Sequence, residues 1–415
     1  MRLLLALLAC AGLSAQSLSL VRVGRLLDVR SGQVLRDQAL RLRDGRIASV
    51  GPWEGGTPDL DLSDRTVLPG LIDAHTHLFL QGNEDAAAYE RQILKESVPL
   101  RTLRAAAAAR RALAQGFTTL RDLGTEGAGH ADSDLKRAIE QGIVPGPRLQ
   151  VADLAFSATG TYPVLSPAWE LNLPSGVQVV DGVEAIRKGV REQVRYGADW
   201  IKVYADRGQR LGPDGRLRSQ LNFSAEELAA FVAEAKRLGK RTAAHAHGWD
   251  GIEAALTAGF DSIEHGSGFD EPLLKRAAAQ GTAWCPTLAA MEYVAPTRGG
   301  VYTKELPERL RRAFALGLKL GVKIVNGSDA GAFPWDRPLA RELELMAAQG
   351  MTNLQALQAA TLRAAELLGL ASDVGSLEPG RQADFLAVEG DPLQDLAALR
   401  RVLCVVKGGQ VAFRP

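Results

Sequence analysis

The feature that most constrains the fold is a unit that recurs through the middle of the chain: an amphipathic helix, a glycine, then a short β-type run. Predicted helices over 183–196, 250–258 and 307–320 each stop at a glycine, and strand-like runs such as "WIKVY" and "DSIEH" follow. Ser224 and Glu227 form a capping box at the start of a further helix. Glycine ends helices because it readily adopts the left-handed conformation. Such alternation predicts a parallel α/β fold.

The number of these units selects the architecture. The predicted strands lie near residues 67–74, 117–122, 148–154, 200–204, 241–245, 261–265, 282–288 and 322–328. Eight parallel strands, each followed by a helix over about 250 residues or more, is the pattern of a (β/α)8 TIM barrel. An open doubly wound sheet is the alternative. Because chemistry-bearing residues fall at strand ends throughout, we favour a barrel over residues 67–370.

The two ends of the chain differ from the middle and resemble each other. Residues 20–51 alternate short β-type runs with turns such as Asp44-Gly45, and the C-terminal residues repeat this pattern. Neither end has enough strands to bury a face alone. We therefore predict that residues 16–66 and 371–415 combine into one small β-sandwich, with the barrel inserted between them.

The N-terminus has the pattern of a secretory signal. A basic start is followed by an apolar run over residues 3–13 and then by small residues. This run is too short to span a bilayer, which takes about 20 residues. We predict that residues 1–15 are removed, leaving Gln16 as the first residue of a secreted or periplasmic protein. A lipid anchor on Cys10 is the alternative, but its apolar core would be shorter.

Charge and cysteine content exclude several classes of protein. The net charge is +1, and neither sign forms a long run, so nucleic acid and acidic membranes are not expected partners. Outside the predicted signal only Cys285 and Cys404 remain. Both lie in apolar strand-like runs, which predicts packed core thiols rather than a disulfide framework. The expected partner is a small molecule or short peptide, and a homo-oligomer is compatible with the sequence.

Polar residues that can bind metals stand at the ends of the predicted strands. The sequence has only six histidines, and His75 and His77 are two residues apart in "LIDAHTH". Alternate strand residues face the same way, so both imidazoles point to one place and can chelate a metal such as Zn²⁺. A satisfied pair of core histidines is the alternative. A lysine inside an apolar strand is energetically costly unless it is used. The strand-end candidates are His75, His77, Lys202, His245, His265 and Asp329.

The segments "VLPGLIDAHTH", "GADWIKVYAD", "AAHAHG", "DSIEHG" and "NGSDAG" resemble the amidohydrolase superfamily. They are most similar to its imidazolonepropionase-related branch, which includes metal-dependent Xaa-Pro dipeptidases. The resemblance covers essentially the whole mature chain. It implies a centre of two divalent ions, with Zn²⁺ the first choice. The implied ligands are His75 and His77 on one ion, His245 and His265 on the other, Lys202 carboxylated by CO2 as a bridge, and Asp329 beside them.

The implied chemistry agrees with the residue types. A lysine ammonium cannot bind a metal, whereas a carbamate offers two oxygens that can hold two ions. Asp329 would accept a proton from the attacking water and pass it to the departing amine. The expected activity is hydrolysis of a C–N bond in a Xaa-Pro-like dipeptide or an N-acyl amino acid with a free carboxylate.

Other activities of the same fold remain open at this point. They are a mononuclear deaminase or cyclic-amide hydrolase, an esterase or lactonase, and a non-catalytic homologue. Gly248 stands where the deaminases carry a glutamate, and no ligand of the binuclear pattern is lost. Both observations favour the binuclear hydrolase.

The substrate residues are less constrained than the metal ligands. In the family pattern the first histidine of "HAH" binds metal and the second faces the substrate, which assigns His245 to the metal and His247 to the substrate. The segments 156–182 and 206–222 are expected to roof the pocket. The predicted substrate-binding residues are His247, Tyr204, Arg207 and Arg210.

Three further polar residues are expected to have no catalytic role. Arg121 and Asp122 end the second predicted barrel strand and are expected to form an ion pair with each other. His130, in "GAGHADSD", has no partner motif and is expected to be a solvated loop residue.

Overall fold

The computed structural model of this protein describes residues 18–82, 86–162, 168 and 170–415. The predicted signal peptide, including Cys10, and the predicted first residue Gln16 lie outside the described residues. Within the described ranges, none of the helices combines the length and the apolar character needed to cross a membrane.

The strands of the described part of the chain are, in order, β1 (Leu20–Leu27), β2 (Val34–Arg43), β3 (Arg46–Pro52), β4 (Leu60–Pro69), β5 (Leu71–Thr76), β6 (Phe117–Asp122), β7 (Arg148–Val151), β8 (Phe156–Ser157), β9 (Gln178–Val179), β10 (Trp200–Tyr204), β11 (Asp206–Leu211), β12 (Leu217–Leu221), β13 (Arg241–Ala246), β14 (Ser262–His265), β15 (Ala283–Cys285), β16 (Lys323–Ile324), β17 (Phe385–Val388), β18 (Val402–Lys407) and β19 (Gln410–Phe413).

The α-helices of the same residues are α1 (Ala86–Glu90), α2 (Val98–Ala114), α3 (Ala131–Glu140), α4 (Val183–Tyr196), α5 (Ala225–Arg237), α6 (Trp249–Ala258), α7 (Glu271–Gln280), α8 (Leu288–Arg298), α9 (Val301–Lys319), α10 (Arg341–Ala348), α11 (Asn353–Ala359) and α12 (Leu362–Leu368). A π-helical turn over Arg91–Lys95 follows α1, and a 3-10 helix over Leu396–Arg400 precedes β18.

The two ends of the chain share one sheet. Its strand order is β19-β18-β17-β4-β1-β2-β3. The halves meet where β17 pairs antiparallel with β4, which places Leu386 opposite Leu68. A separate apolar cluster on this sheet takes Val21 and Leu40 from the N-terminal half and Phe385 from the C-terminal half. The two segments therefore combine as the sequence predicts, and the sandwich arrangement of their strands stays a prediction.

The middle of the chain consists of parallel strands and helices, so the fold is α/β. The parallel strands form sheets of order β5-β6-β7 and β16-β15-β14-β13-β10-β8-β9. Backbone hydrogen bonds also reach β5 from the residues after β16: Asp329 N donates to His75 O over 2.7 Å, and His77 N donates to Ala330 O over 2.7 Å. Complete closure into a barrel stays a prediction.

The predicted strand over 67–74 is two strands that belong to different sheets. β4 continues to Pro69 in the mixed sheet, and β5 begins at Leu71 in a parallel sheet. Gly70 separates them, and a Cβ there would lie 2.1 Å from Thr118 Oγ1. Only glycine fits this approach, so the chain changes sheet at Gly70 and not between residues 66 and 67.

Local helix signals were accurate except where tertiary packing extends a helix. α4 has the predicted bounds, and the capping box of Ser224 and Glu227 is present at the start of α5. α9 begins at Val301 rather than near Pro307, which lies inside it. Leu306, directly before this proline, is buried. The apolar face thus continues the helix past a residue that usually starts one.

The segment predicted as a roof over the pocket after the fourth barrel strand is ordered as a hairpin. β11 pairs antiparallel with β12, with Asp206 opposite Leu221. Residues Asp206, Arg207, Gly208, Gln209 and Asn222 line the large cavity described below. The other segment predicted to cover the pocket, residues 156–182, is described in part. Its described residues form β8 and β9, and residues 160–162 line the cavity.

Candidate metal centre and active site

The six predicted metal ligands come together from five places in the sequence. They border a cavity of about 830 Å³ at the C-terminal ends of the parallel strands, into which His77, Lys202, His245, His265 and Asp329 project. His75 lies directly behind this wall and is fully buried. Its Nε2 atom is 3.6 Å from Asp329 Oδ1, and His77 Nε2 is 3.5 Å from the same oxygen.

Two groups of donor atoms in the cavity wall have the spacing of metal ligands. One consists of His75, His77 and Asp329, and the other of His245, His247 and His265. Within each group the ligand atoms all lie within 4.8 Å of one another. His247, predicted to face the substrate, thus stands among the candidate ligands, and the assignment of His245 to the metal stays a prediction.

The other ring nitrogen of these histidines is held by the protein. His75 Nδ1 is 2.8 Å from Glu264 Oε2, His77 Nδ1 is 2.9 Å from Gly124 O, and His265 Nδ1 is 2.8 Å from Thr287 Oγ1. Such bonds fix the ring and direct Nε2 inward, as in protein metal sites. His75 Nε2 is buried without a hydrogen-bond partner. Because an unpaired buried polar atom is costly, this atom fits a metal ligand.

The electrostatics favour the neutral forms of the histidines and of Lys202. Burial lowers the pKa of His75, His245 and His265 well below the ordinary value, and positive neighbours lower it further. Burial likewise lowers the pKa of the Lys202 ammonium. Neutral imidazoles are the form that binds metals, and a neutral lysine amine is the form that reacts with CO2. Burial raises the pKa of Asp329 to about 6.

The strand ends deliver these side chains through close backbone contacts. In the register of β13 and β14, Ala246 stands opposite His265. His265 and Asp329 adopt left-handed backbone conformations, with φ of 71° and 59°. Such conformations persist where the surroundings over-determine them, and they cluster at functional sites. Gly327 lets β5 and the segment after β16 approach, since a Cβ there would lie 2.8 Å from His75 Cβ.

A buried ion pair behind the ligands corrects one prediction. Arg121 does not pair with Asp122: its Nη2 atom donates to Glu264 Oε1 over 2.9 Å, and both side chains are inaccessible. Asp122 instead accepts a hydrogen bond from Leu78 N. Glu264 was not among the residues predicted from the sequence, although it directly precedes His265. Its partner could not be known, because Arg121 lies on a distant strand of the other sheet.

The cavity lining contains most, but not all, of the predicted substrate residues. His247, Tyr204 and Arg207 line the cavity, whereas Arg210 is exposed and is not among the lining residues. Arg298, which the sequence analysis missed, lies at the end of α8 and also lines the cavity. The pKa of His247 is lowered to about 3, first by the burial of its imidazole and then by the positive charge of Arg298.

Two more predictions about individual side chains have clear outcomes. His130 is not a solvated loop residue: its Nδ1 is 2.8 Å from Asp153 Oδ2, and its ring stacks on Tyr196 at 4.1 Å between centroids. The pairing was not visible in sequence because Asp153 lies beyond the next strand. Cys285 and Cys404 are free and buried, which confirms them as core thiols.

Comparison with known proteins identifies the family. The model of the amidohydrolase family matches residues 66–412, most of the chain. The chain belongs to the amidohydrolase family. This amidohydrolase is 31% identical to ochratoxinase of Aspergillus niger, over 94% of its own chain and 86% of the relative. It is 29% identical to imidazolonepropionase of Deinococcus radiodurans, over 88% of each chain.

Solved structures give the same result. A Xaa-Pro dipeptidase with methionine bound in its active site matches the amidohydrolase with a TM-score of 0.85 at 31% identity, over 96% of this chain and 100% of that chain. The resemblance inferred from the motifs is thereby confirmed. The chain is a hydrolase of carbon–nitrogen bonds, of a metal-dependent family, with His and Asp groups suited to metal binding.

Glu264→Gln is expected to destabilise this amidohydrolase by about 3 kcal/mol, because it leaves the buried Arg121 guanidinium without its charged partner. Although burial opposes its ionisation, Arg121 and His75 hold the pKa of Glu264 well below its usual range. This stabilisation is therefore present above the unfolded carboxyl pKa of about 4.3 and is lost as pH falls. Urea unfolding at pH 7 measures it. The exposed Glu192→Gln is the control, and equal midpoints for both variants would contradict the assignment.

Proposed function

We propose that this amidohydrolase cleaves the amide bond of a small substrate with a free carboxylate, either a dipeptide or an N-acyl amino acid. The reaction takes place at a centre of two divalent ions, for which Zn²⁺ is the first choice. The observation that carries the proposal is the convergence of two sets of donor atoms on one cavity, with Lys202 beside them.

The residues present fit such a centre. His75 and His77 hold one ion, His245 and His265 the other, and Asp329 completes the site. When bound, the divalent ions supply a Lewis acid for the scissile carbonyl and lower the pKa of water. The unpaired Nε2 of His75 and the low imidazole pKa values support these roles.

Lys202 serves as a carbamate in this proposal. Its neutral amine adds to the carbon of CO2 and loses one proton, which gives an anion with two ligand oxygens. Burial supports this step in two ways, since it favours the neutral amine and excludes competing polar partners. The strand β10 that carries Lys202 is otherwise apolar where it is buried.

Asp329 is the catalytic proton carrier. Its carboxylate accepts a proton from the attacking water and returns it to the nitrogen of the departing amine. The backbone bond from Asp329 N to His75 O holds it beside the ligands. His247, whose Nδ1 is 3.2 Å from Ser267 Oγ, is positioned to face the substrate.

The substrate class is supported by the charge of the cavity wall. Arg207 and Arg298 both line it, and a guanidinium can bind a carboxylate in a bidentate fork that orients the scissile bond. The similarity to a dipeptidase whose site holds methionine supports an amino-acid product.

Converting the substrate carboxylate to an amide is expected to cost about 1.5–3 kcal/mol of transition-state binding, the worth of a hydrogen bond to a charged group. Steady-state kinetics on matched acids and amides, with zinc-loaded protein, measure the difference. Arg298→Ala should remove most of this discrimination. The control is Arg210→Ala, on the same hairpin as Arg207 but outside the cavity lining. Equal kcat/KM for acid and amide would show that no arginine binds the substrate carboxylate.

Metal analysis tests the proposal as a whole. Two ions per chain, with activity lost on chelation and restored by zinc, are expected. One ion per chain would indicate a mononuclear deaminase or cyclic-amide hydrolase, and none would indicate a non-catalytic homologue. A panel of Xaa-Pro dipeptides, N-acyl amino acids and aryl esters separates amide from ester hydrolysis.

The proposal includes the finer architecture and the location. Residues 71–370 form a closed (β/α)8 barrel, which the hydrogen bonds between β5 and the segment after β16 support. Residues 16–69 and 371–415 form a β-sandwich, and residues 1–15 direct export. The shared sheet of β4 and β17 supports the sandwich.

A further inference from the structure

A buried carboxylate in the cavity wall is surrounded by phenols. The Glu126 carboxylate accepts hydrogen bonds from the hydroxyl groups of Tyr89 over 2.7 Å, Tyr204 over 3.0 Å, and Tyr162. The Tyr162 and Tyr204 rings are T-shaped with centroids 5.1 Å apart, and the Tyr89 ring is 6.3 Å from Tyr162. We call this group the tyrosine cage, consisting of Glu126, Tyr89, Tyr162 and Tyr204. All of its members line the large cavity.

The protein holds Glu126 in place from behind. Its backbone is left-handed, with φ of 49°, and Arg101 Nη2 donates to the Glu126 carbonyl and to the Thr125 carbonyl, each over 2.8 Å. This arginine binds the loop backbone and not the carboxylate. A positive φ angle is energetically costly for a residue other than glycine. The loop therefore holds Glu126 in this conformation so that its side chain faces the cavity.

The cage offers acceptors but no free donors. Each phenol has one proton, and these protons are used in bonds to Glu126, with the Tyr89 and Tyr162 hydroxyls also in contact with each other. Burial, and then the charge of Glu126, raise the pKa of all three tyrosines well above the ordinary value. The phenols therefore stay protonated and present oxygen lone pairs and ring faces to the cavity.

The carboxylate also lacks a basic side chain. Within the part of the chain that the structure describes, no lysine or arginine nitrogen comes within ion-pair distance of the Glu126 carboxylate; His77 Nδ1 is 3.8 Å away but bonds Gly124 O. Lys202 Nζ lies 5.9 Å from the Tyr204 ring centroid. In the proposed function this nitrogen is part of a carbamate, so it does not supply a cation to the cage.

A ligand that complements this surface must bring both positive charge and N–H donors. A primary ammonium does so: its protons suit the phenol oxygens, and its charge suits the ring faces and Glu126. An acyl carbonyl or a methyl group satisfies none of these atoms. The basic residues Arg207 and Arg298 also line the cavity, so it carries binding groups for both charges of a zwitterion.

We propose that the tyrosine cage binds the free ammonium group of the substrate. The inference rests on the proposed function and narrows its substrate from two classes to one: a dipeptide with a free amino terminus rather than an N-acyl amino acid.

A matched pair of ligands tests the cage directly. Glycyl-L-phenylalanine and N-acetyl-L-phenylalanine share the scissile bond and the carboxylate and differ only by the ammonium; glycyl-L-proline and N-acetyl-L-proline give a second pair. Calorimetric titration of the full-length protein after metal removal gives Kd without turnover. The glycyl ligand of at least one pair should bind about tenfold tighter or better, the gain expected for a charge-assisted ammonium contact. With metal-loaded protein, kcat/KM should follow the same order.

Variants separate the cage from a general effect of negative charge. Glu126→Gln should reduce the glycyl-to-acetyl ratio to within about twofold, since the charged acceptor is lost. Glu90→Gln, which also borders the cavity but lies outside the cage, should keep the ratio. If Glu126→Gln does not fold, as judged by thermal unfolding, Tyr162→Phe removes one phenol oxygen and should lower the ratio by about threefold.

The outcomes distinguish the cage from the proposed function. Equal or weaker binding of the glycyl ligands in both pairs, or no binding of any of the four, overturns the cage. A ratio that Glu90→Gln abolishes and Glu126→Gln keeps also overturns it. If metal-loaded protein hydrolyses the acetyl ligands faster than the glycyl ligands, the proposed amide hydrolysis is supported and the role of the cage is refuted. A failure of metal-loaded protein to cleave any amide counts against the proposed function, while the Kd ratio still decides the cage.

Discussion

Lys202→Ala is expected to lower kcat/KM by roughly a thousandfold or more and to reduce the metal content by at least one ion per chain. The side chain is buried at 1% exposure in the cavity wall, and the proposed carbamate would supply ligand oxygens to the ions. Losing several kcal/mol of charge stabilisation corresponds to about three powers of ten in rate. Metal analysis and steady-state kinetics on the same preparation measure both effects.

A rescue experiment makes this prediction specific. Acetate or propionate should partly restore metal content and activity in Lys202→Ala, because a small carboxylate fits the space left by the carbamate. Lys236→Ala, an exposed substitution on α5, is the control and should behave as the unaltered protein does. Two ions per chain in Lys202→Ala, without added carboxylate, would refute the carbamate.

Asp329→Asn is expected to lower kcat by about 10²–10⁴-fold, with a much smaller change in KM. The substitution keeps the shape of the side chain and removes only its ability to accept and return a proton. Asp336→Asn, an exposed change in the same segment, is the matched control. A kcat within about tenfold of the unaltered protein would assign Asp329 to metal binding alone, because general acid–base catalysis contributes at least about 10².

Local chemistry in the sequence fixes much of the fold. The helix α4 and the capping box of α5 have the predicted positions, because helix caps and terminal glycines act within a few residues. The grouping of the strand ends could also be predicted from the sequence, since a parallel α/β fold brings the carboxyl ends of its strands to one side. For this reason His75 and Asp329, far apart in sequence, could be predicted to share one site.

Only the tertiary structure decided which distant side chains pair. Arg121 forms a hydrogen bond with Glu264 on another strand and not with its neighbour Asp122. Gly70, where the chain changes sheet, packs so closely on the side chain of Thr118 that a Cβ would not fit there. Arg298, Tyr89, Glu126 and Tyr162 come from helices and loops whose paths no periodic pattern specifies. Periodicity determines which face of an element is buried, whereas the partner of a buried polar group depends on three-dimensional packing. Sequence therefore identified the candidate metal ligands at the strand ends, and packing decided what holds and surrounds them.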